Sequence, residues 1–291
     1  MLSALVSLLT IEIGIDPEIR KLGGLLLTWH GVFVAVAIAV GVYVAVQIGQ
    51  RKGFTEDDAY TVALVGVPAG IIGARALFIA ENWELFEDAP LDIFRINEGG
   101  ISIYGAIIGG VLGGWVYGVW RGLPVGKGLD AAAFGLILGM AIGRIGDIIN
   151  GEHFADFSGL PWAVEYTHVN SPSFGLPSQH PAVAYEMLGD LLIFGSLFVL
   201  WRVYRKDGLV FFSYLSLYSL MRFGLNFVRL DSKTIAGGDL DVMQMVALGV
   251  LIFSVLGFVY YWRKPAAQAE PTPEAPPTEV AARSSRAPDR S

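Results

Sequence analysis

Residues 143–154 read Gly-Arg-Ile-Gly-Asp-Ile-Ile-Asn-Gly-Glu-His-Phe and place an arginine, an aspartate, an asparagine, a glutamate and a histidine within ten residues. The preceding run, residues 131–142, carries no charge. In a helix Arg144 and Asp147 lie one turn apart on one face. A charge at the centre of a membrane helix costs ~2.5–3.5 kcal/mol, and less near the interface, so such a residue usually has a task or a partner. Two chemistries fit. A guanidinium can grip an anion through its planar fork, or the charges can pair between helices and lock them together.

The elements that must position these groups are read from composition and hydropathy. The chain has 291 residues, 54% hydrophobic and 16% charged, with mean hydropathy +0.55. So little charge at this length excludes a soluble protein and predicts a polytopic membrane protein of all-α class. The 36 glycines fit, because small residues let membrane helices approach closely. No basic stripe points to nucleic acid. With no cysteine, disulfides, cysteine-ligated metals and a thiol nucleophile of the chain's own are excluded.

Seven apolar stretches approach the ~20 residues that a bilayer requires: about 24–48, 59–81, 100–120, 130–149, 183–203, 209–228 and 241–262. Residues 1–23 are broken by Glu12, Gly14, Asp16 and Pro17 and predict an interfacial segment outside the membrane. No basic region opens them, so a cleaved leader is not expected. Residues 24–262 form the predicted seven-helix domain, with a small outer head at about 150–182. Residues 263–291, rich in Pro, Ala, Glu, Ser and Arg, predict a disordered cytoplasmic tail.

Basic residues set the orientation. Arg51, Lys52, Arg121, Lys127, Arg202, Arg205, Lys206, Arg263 and Lys264 share one side, against Arg20, Lys21, Arg95, Arg229 and Lys233 on the other. The first side is predicted to be cytoplasmic and the amino terminus external. His30, Tyr104, Arg144, Asp147, Glu186, Arg222, Asn226 and Arg229 then fall in the outer half of the membrane, as does Glu81, while Arg75 lies deeper. Three arginines in one leaflet, with few carboxylates beside them, suit an anionic lipid headgroup. The competing reading pairs Arg222 with Asp147 or Glu186 as a structural lock.

Gly105, Gly109 and Gly113, and then Gly135, Gly139 and Gly143, recur at four-residue spacing, a pattern of close helix packing expected to bring the Tyr104 and Arg144 helices together. No metal is expected: His30, His153, His168 and His180 lack ligand spacing, and there is no H-E-x-x-H. A nucleophile elbow is also absent.

These residues resemble the prolipoprotein diacylglyceryl transferase family. Gly143-Arg144-Ile145-Gly146 with Ile149-Asn150-Gly151-Glu152 is similar to its signature, and Trp29-His30-Gly31 to its Trp-Tyr-Gly. Residues 99–105 with Ile108-Gly109 resemble its Gly-Gly…His-Gly-Gly-Leu-Ile-Gly segment, and His180-Pro181 with Tyr185-Glu186 its His-Pro-x-x-x-Tyr-Glu. Arg222-Phe223 with Phe227 and Arg229 resembles its Arg-Phe…Glu-Phe-x-Arg, and Gln244 a glutamine opening the last helix. There are departures. Asp147 stands for an asparagine, Ile148 for a phenylalanine, Ala155 for a glycine, Tyr104 for a histidine, His30 for a tyrosine and Asn226 for a glutamate. They read as two exchanges, His with Tyr between spans 1 and 3, and a carboxylate moved from span 6 to span 4.

The resemblance implies transfer of the diacylglyceryl group of phosphatidylglycerol to the lipobox cysteine of a prolipoprotein signal peptide in the bacterial inner membrane, without a cofactor. It implies phosphate binding by Arg144 and Arg222, with Arg229 steering from the rim. His30 or Tyr104 would act as base, and Asp147, Asn150, Glu152 and Asn226 would orient the arginines or the lipid. Two alternatives are a diverged, non-catalytic paralogue and a protein that only binds anionic lipid.

Overall fold

The computed structural model describes residues 10–22, 25–87, 89–95, 100, 102–230 and 240–263. Among them are seven α-helices: α1 (Trp29–Arg51), α2 (Glu56–Glu81), α3 (Ile103–Trp120), α4 (Val125–Asn150), α5 (Ala182–Val203), α6 (Leu209–Leu225) and α7 (Val242–Arg263). Five, α1, α2, α4, α5 and α7, are long and apolar enough to cross a membrane; residues Gly105–Trp120 of α3 and the whole of α6 are shorter apolar helices. Outward-facing side chains such as Leu64, Ile72 and Leu192 are about 70% exposed, apolar surface that suits lipid rather than water.

The polar ends carry the departure from an all-α reading. Strand β1 (Ile11–Ile13) pairs in parallel with β4 (Val164–Tyr166), and β2 (Glu18–Leu22) pairs antiparallel with β3 (Leu25–Thr28). The predicted start of the first span at residue 24 is therefore four to five residues early. The apolar run at 25–27 is spent on the hairpin, and Thr28 caps α1 by accepting from Gly31 N at 3.1 Å. Residues 1–9 and 264–291, which hold part of the predicted interfacial segment and nearly all of the predicted tail, lie outside the described residues, as does Lys233.

The glycine stripes pair differently from expectation. α3 packs on α2, where a Cβ on Gly109 would lie 3.0 Å from Gly73 Cα. α4 packs on α1, where a Cβ on Gly41 would lie 2.7 Å from the Gly135 carbonyl oxygen. α3 and α4 touch only lightly, so the stripes do not join Tyr104 to Arg144. Four-residue spacing also drifts about 40° per step around a helix of 3.6 residues per turn. Gly143 has consequently left the seam, and a Cβ there meets nothing within 4 Å; Gly146 continues the seam, with its Cβ position 2.8 Å from His30 Cα.

At the end of the bundle remote from Gly146, an apolar core of Ile48, Phe134, Ile137, Leu197, Phe211 and Tyr214 joins α1, α4, α5 and α6. A buried pair seals it. Lys52 Nζ lies 2.7 Å from Asp130 Oδ2 and 3.4 Å from Asp207, while Asp130 Oδ1 accepts from Phe211 N at the start of α6. Removing one member of a buried pair costs about 3–5 kcal/mol. Asp130→Ala is expected to lower thermal stability in detergent by that amount, measured as loss of helical signal on heating.

Candidate active site

Glu186, in the second turn of α5 and wholly buried, is the hub. Its Oε1 accepts from Arg144 Nη2 at 2.6 Å and from the Tyr218 hydroxyl at 3.2 Å. Its Oε2 accepts from Arg222 Nη1 at 2.9 Å and Arg229 Nη1 at 2.8 Å. Charge-assisted bonds of this kind are about twice as strong as neutral ones. Arg144 comes from α4, Arg222 from the last turn of α6, and Arg229 from the turn that follows. The two arginine readings of the sequence are thus both present: the guanidiniums converge, and they do so on a carboxylate.

A second carboxylate extends the network. Arg144 Nη1 donates to Asp147 Oδ2 at 2.8 Å, and His30 Nδ1 lies 2.7 Å from Asp147 Oδ1. A carboxylate only accepts, so Nδ1 carries a proton, and in the neutral imidazole the lone pair is then on Nε2. Glu152 Oε1 stands 3.6 Å from the same Nδ1, and Asn150 Nδ2 donates to Glu152 Oε2 at 2.7 Å. Gly151 ends α4 with φ +73°, a left-handed turn that swings Glu152 back toward α1; a Cβ there would strike the Tyr166 ring at 2.7 Å. Burial and the Asp147 carboxylate push the Tyr166 hydroxyl up to about 12, so it remains a donor to the Ile148 carbonyl.

Three expectations need correcting. Arg229 is not at a rim: its side chain is 1% exposed, against 15% for Arg144 and 12% for Arg222. The chain after α6 turns inward, bridging Arg229 to Ala155 and tying Leu230 N to the Phe154 carbonyl. Asn226 directs its amide to both oxygens of Asp241 at 3.0 and 3.2 Å, where it helps to seat the start of α7. The arginines are not short of carboxylates, since among the described residues all three guanidiniums meet Glu186 and Arg144 also meets Asp147. Tyr104 occupies the first turn of α3, but its side chain lies outside the described residues.

Sequence reasoning missed two partners. His153 takes a bond from Arg229 Nη2 on Nδ1 at 2.9 Å, which puts its own proton on Nε2, 3.5 Å from Asp147. Its place in the 143–154 stretch was the available signal. Tyr218, one turn before Arg222, gave the other. His30, Asp147 and Glu152 also bring metal-ligand atoms within 4.8 Å of one another, a grouping that spacing along the chain could not reveal. An imidazole N–H held between two carboxylates accounts for it. Beside His153, a small cavity of about 30 Å³ is lined by Tyr166, Gln179, His180 and the first turn of α5; Arg144 and Arg222 do not line it.

Stacked apolar helices with three arginines gathered on one buried glutamate, next to a histidine–aspartate pair, define a multi-pass membrane protein with a buried charged centre. Residues 17–260 match the family described as prolipoprotein diacylglyceryl transferase, and the chain belongs to that family. It is 31% identical over 249 residues to the phosphatidylglycerol–prolipoprotein diacylglyceryl transferase of Clostridioides difficile, covering 86% of this chain and 96% of that protein. The enzyme of the same name from Dehalococcoides mccartyi is 33% identical over 256 residues, 87% of this chain and 96% of the relative. That of Shouchella clausii is 30% identical over 268 residues, covering 88% and 95%.

Proposed function

We infer that this chain transfers the sn-1,2-diacylglyceryl group of phosphatidylglycerol to the lipobox cysteine of a prolipoprotein, forming a thioether and releasing glycerol-1-phosphate. The observation that carries the reading is the meeting of Arg144, Arg222 and Arg229 on Glu186 beside the His30–Asp147 pair. The name and near full-length similarity of the relatives support it and do not favour a non-catalytic lipid binder or paralogue.

The chemistry follows from the groups. The substrate thiol, ordinarily titrating near 8.5, must lose its proton to become a nucleophile. His30 Nε2 takes that proton while Asp147 holds Nδ1–H and steadies the imidazolium. The thiolate sulfur attacks the glyceryl C3 carbon, a C–S bond forms, and the C3–O bond to phosphorus breaks with its electron pair on the phosphate oxygen. Arg144 and Arg222, the more accessible of the three arginines, meet that growing charge with donors held in place beforehand, which is usually the largest catalytic contribution. Arg229 and Tyr218 keep Glu186, and hence the other two guanidiniums, in position. Asn150 and Glu152 orient the His30 side of the site. Tyr104 is the second candidate base.

All seven helices cross the bacterial inner membrane in this reading, with the amino terminus outside and the carboxyl terminus in the cytoplasm. The basic residues Arg51, Lys52, Arg202, Arg205 and Lys206 cluster around the Lys52–Asp130 end, which supports that end as the cytoplasmic one. The 150–182 segment with β1 and β4 forms the external head.

The test is direct. Purified protein, phosphatidylglycerol and a lipobox peptide should yield a peptide heavier by one diacylglyceryl group, and the gene should complement a strain depleted of its own transferase. No mass shift and no complementation would remove the reading. Arg144→Lys keeps the charge but not the fork that spans Asp147 and Glu186, and is expected to lower kcat/KM about 100-fold in the peptide assay.

A further inference from the structure

Glu152 and His153, which flank the His30–Asp147 pair, are carried by a turn and not by a helix. They follow the left-handed Gly151, past the end of α4, where the last carbonyls of a helix have no partner within it. Residues 166–173 supply three hydroxyls to that end. Tyr166 donates to the Ile148 carbonyl at 2.9 Å, Ser171 to that of Asn150 at 3.1 Å, and Ser173 to that of Gly151 at 2.6 Å. Gln179 closes the far side of the turn. Its Nε2 donates to Ser173 Oγ at 3.3 Å, and its Oε1 accepts from Ala155 N at 2.9 Å. One amide thus grips the chain on both sides of Glu152, His153 and Phe154.

The grip has a direction. A hydroxyl has a single proton, and with the Gln179 amide donating to its oxygen, Ser173 turns that proton to Gly151. Both side chains are buried, Ser173 at 1% and Gln179 at 3% exposure. Gln179 is itself fixed, exchanging two backbone bonds of 2.9 Å with Val164 of β4. What is gripped bears on the reaction. Glu152 Oε1 stands 3.6 Å from His30 Nδ1, and His153 Nε2 stands 3.5 Å from Asp147 Oδ2. Asn150 and Arg229 bond to the side chains of Glu152 and His153. The backbone beneath them lies beyond the helix ladder, and Ser173 and Gln179 are the side chains that hold it among the described residues, with Leu230 N on the Phe154 carbonyl as a further tie.

We propose that Ser173 and Gln179 are positioning residues for proton transfer, clamping the 151–155 turn so that Glu152 and His153 keep the His30–Asp147 pair aligned. This rests on the reading of His30 as the base, and gives neither residue a contact with substrate. It also gives the strands a task. β1 pairs with β4, β4 fixes Gln179, and Gln179 fixes the turn that faces the imidazole. A displacement of about 1 Å at reacting groups can cost about 100-fold in rate, so a clamp two contacts away from the base is felt in catalysis.

The experiment is a double-mutant cycle on the whole chain in detergent, with phosphatidylglycerol and a lipobox peptide. Ser173→Ala removes one oxygen, and Gln179→Met keeps the length of the side chain without its amide. Each is expected to lower kcat about 10- to 100-fold, while the KM for phosphatidylglycerol changes little because Arg144 and Arg222 are held by Glu186. The two together should lower kcat little further than Gln179→Met alone, since they act through one chain of bonds. In His30→Gln protein, where no imidazole remains to be aligned, the same substitutions should change kcat by less than about twofold. A merely structural role predicts otherwise: general loosening lowers kcat by the same factor with or without His30. Unchanged kcat in both variants, or an equal loss in the His30→Gln background, overturns the proposal. Failure of both variants to fold also overturns it, because the clamp would then serve the fold alone; if only Gln179→Met fails, the one-atom Ser173→Ala change decides. A His30→Gln protein with intact kcat removes the base reading and the clamp together. Loss of kcat in His30→Gln without coupling to positions 173 and 179 removes the clamp alone.

Discussion

Glutamine at position 186 is expected to lower kcat/KM for lipidation by two to three orders of magnitude and to lower the melting temperature in detergent. The change deletes one negative charge around which Arg144, Arg222 and Arg229 are arranged at 2.6–2.9 Å. Three buried guanidiniums would then repel one another across a neutral amide that can accept at only one atom. Breaking a buried ion pair costs about 3–5 kcal/mol. At 1.36 kcal/mol per tenfold, a loss of that size felt in the transition state gives about 10²–10³ or somewhat more in rate. Glu186→Asp retains the charge one methylene short and should recover part of the activity. The KM for lipid should rise in both variants, because the phosphate-gripping arginines lose their alignment. Kinetics and melting behaviour like those of the unmodified protein in Glu186→Gln would show that the arginines are held by something else.

His30→Gln is the second large effect. Glutamine can still donate to Asp147, so the pair's geometry is approximately retained, but it cannot accept the thiol proton. Positioned general bases contribute about 10²–10⁴ in rate, and kcat should fall within that range. The pH profile separates this from a merely structural role. A base acts only when neutral, so activity of the unmodified protein falls on the acid side as His30 takes up a proton before the reaction does. That limb should vanish in His30→Gln. The residual activity should instead climb with pH toward the thiol's own ionisation, near 8.5. If Tyr104→Phe produces these changes and His30→Gln does not, the base is Tyr104.

The helices could be read from the sequence because hydropathy is a local property. Boundaries at 182–203 and 242–263 agree with the predicted spans within a residue. What pairs with what could not be read so well. Four-residue glycine spacing identifies a packing face without naming its partner, and so α3 was expected on α4 but lies on α2. The arginines were legible as a group because unpaired charge in an apolar run is conspicuous. The role of Glu186 as their shared anchor was not legible, because it depends on two oxygens being divided among three helices and a turn. Arg229 shows the same limit. Its place after α6 suggested exposure, and only the backbone bridge to Ala155 turns it inward.

The contact between α1 and α4 has a consequence for how this catalyst can vary. The spacing of the His30–Asp147 pair is governed here by methyl groups that Gly41, Gly135 and Gly146 lack. Even alanine at any of the three would wedge the two backbones apart and lengthen the gap between imidazole and aspartate. Reactivity in such a protein can be tuned from Gly41 and Gly135, buried in the seam between two helices and two to three turns from His30 and Arg144.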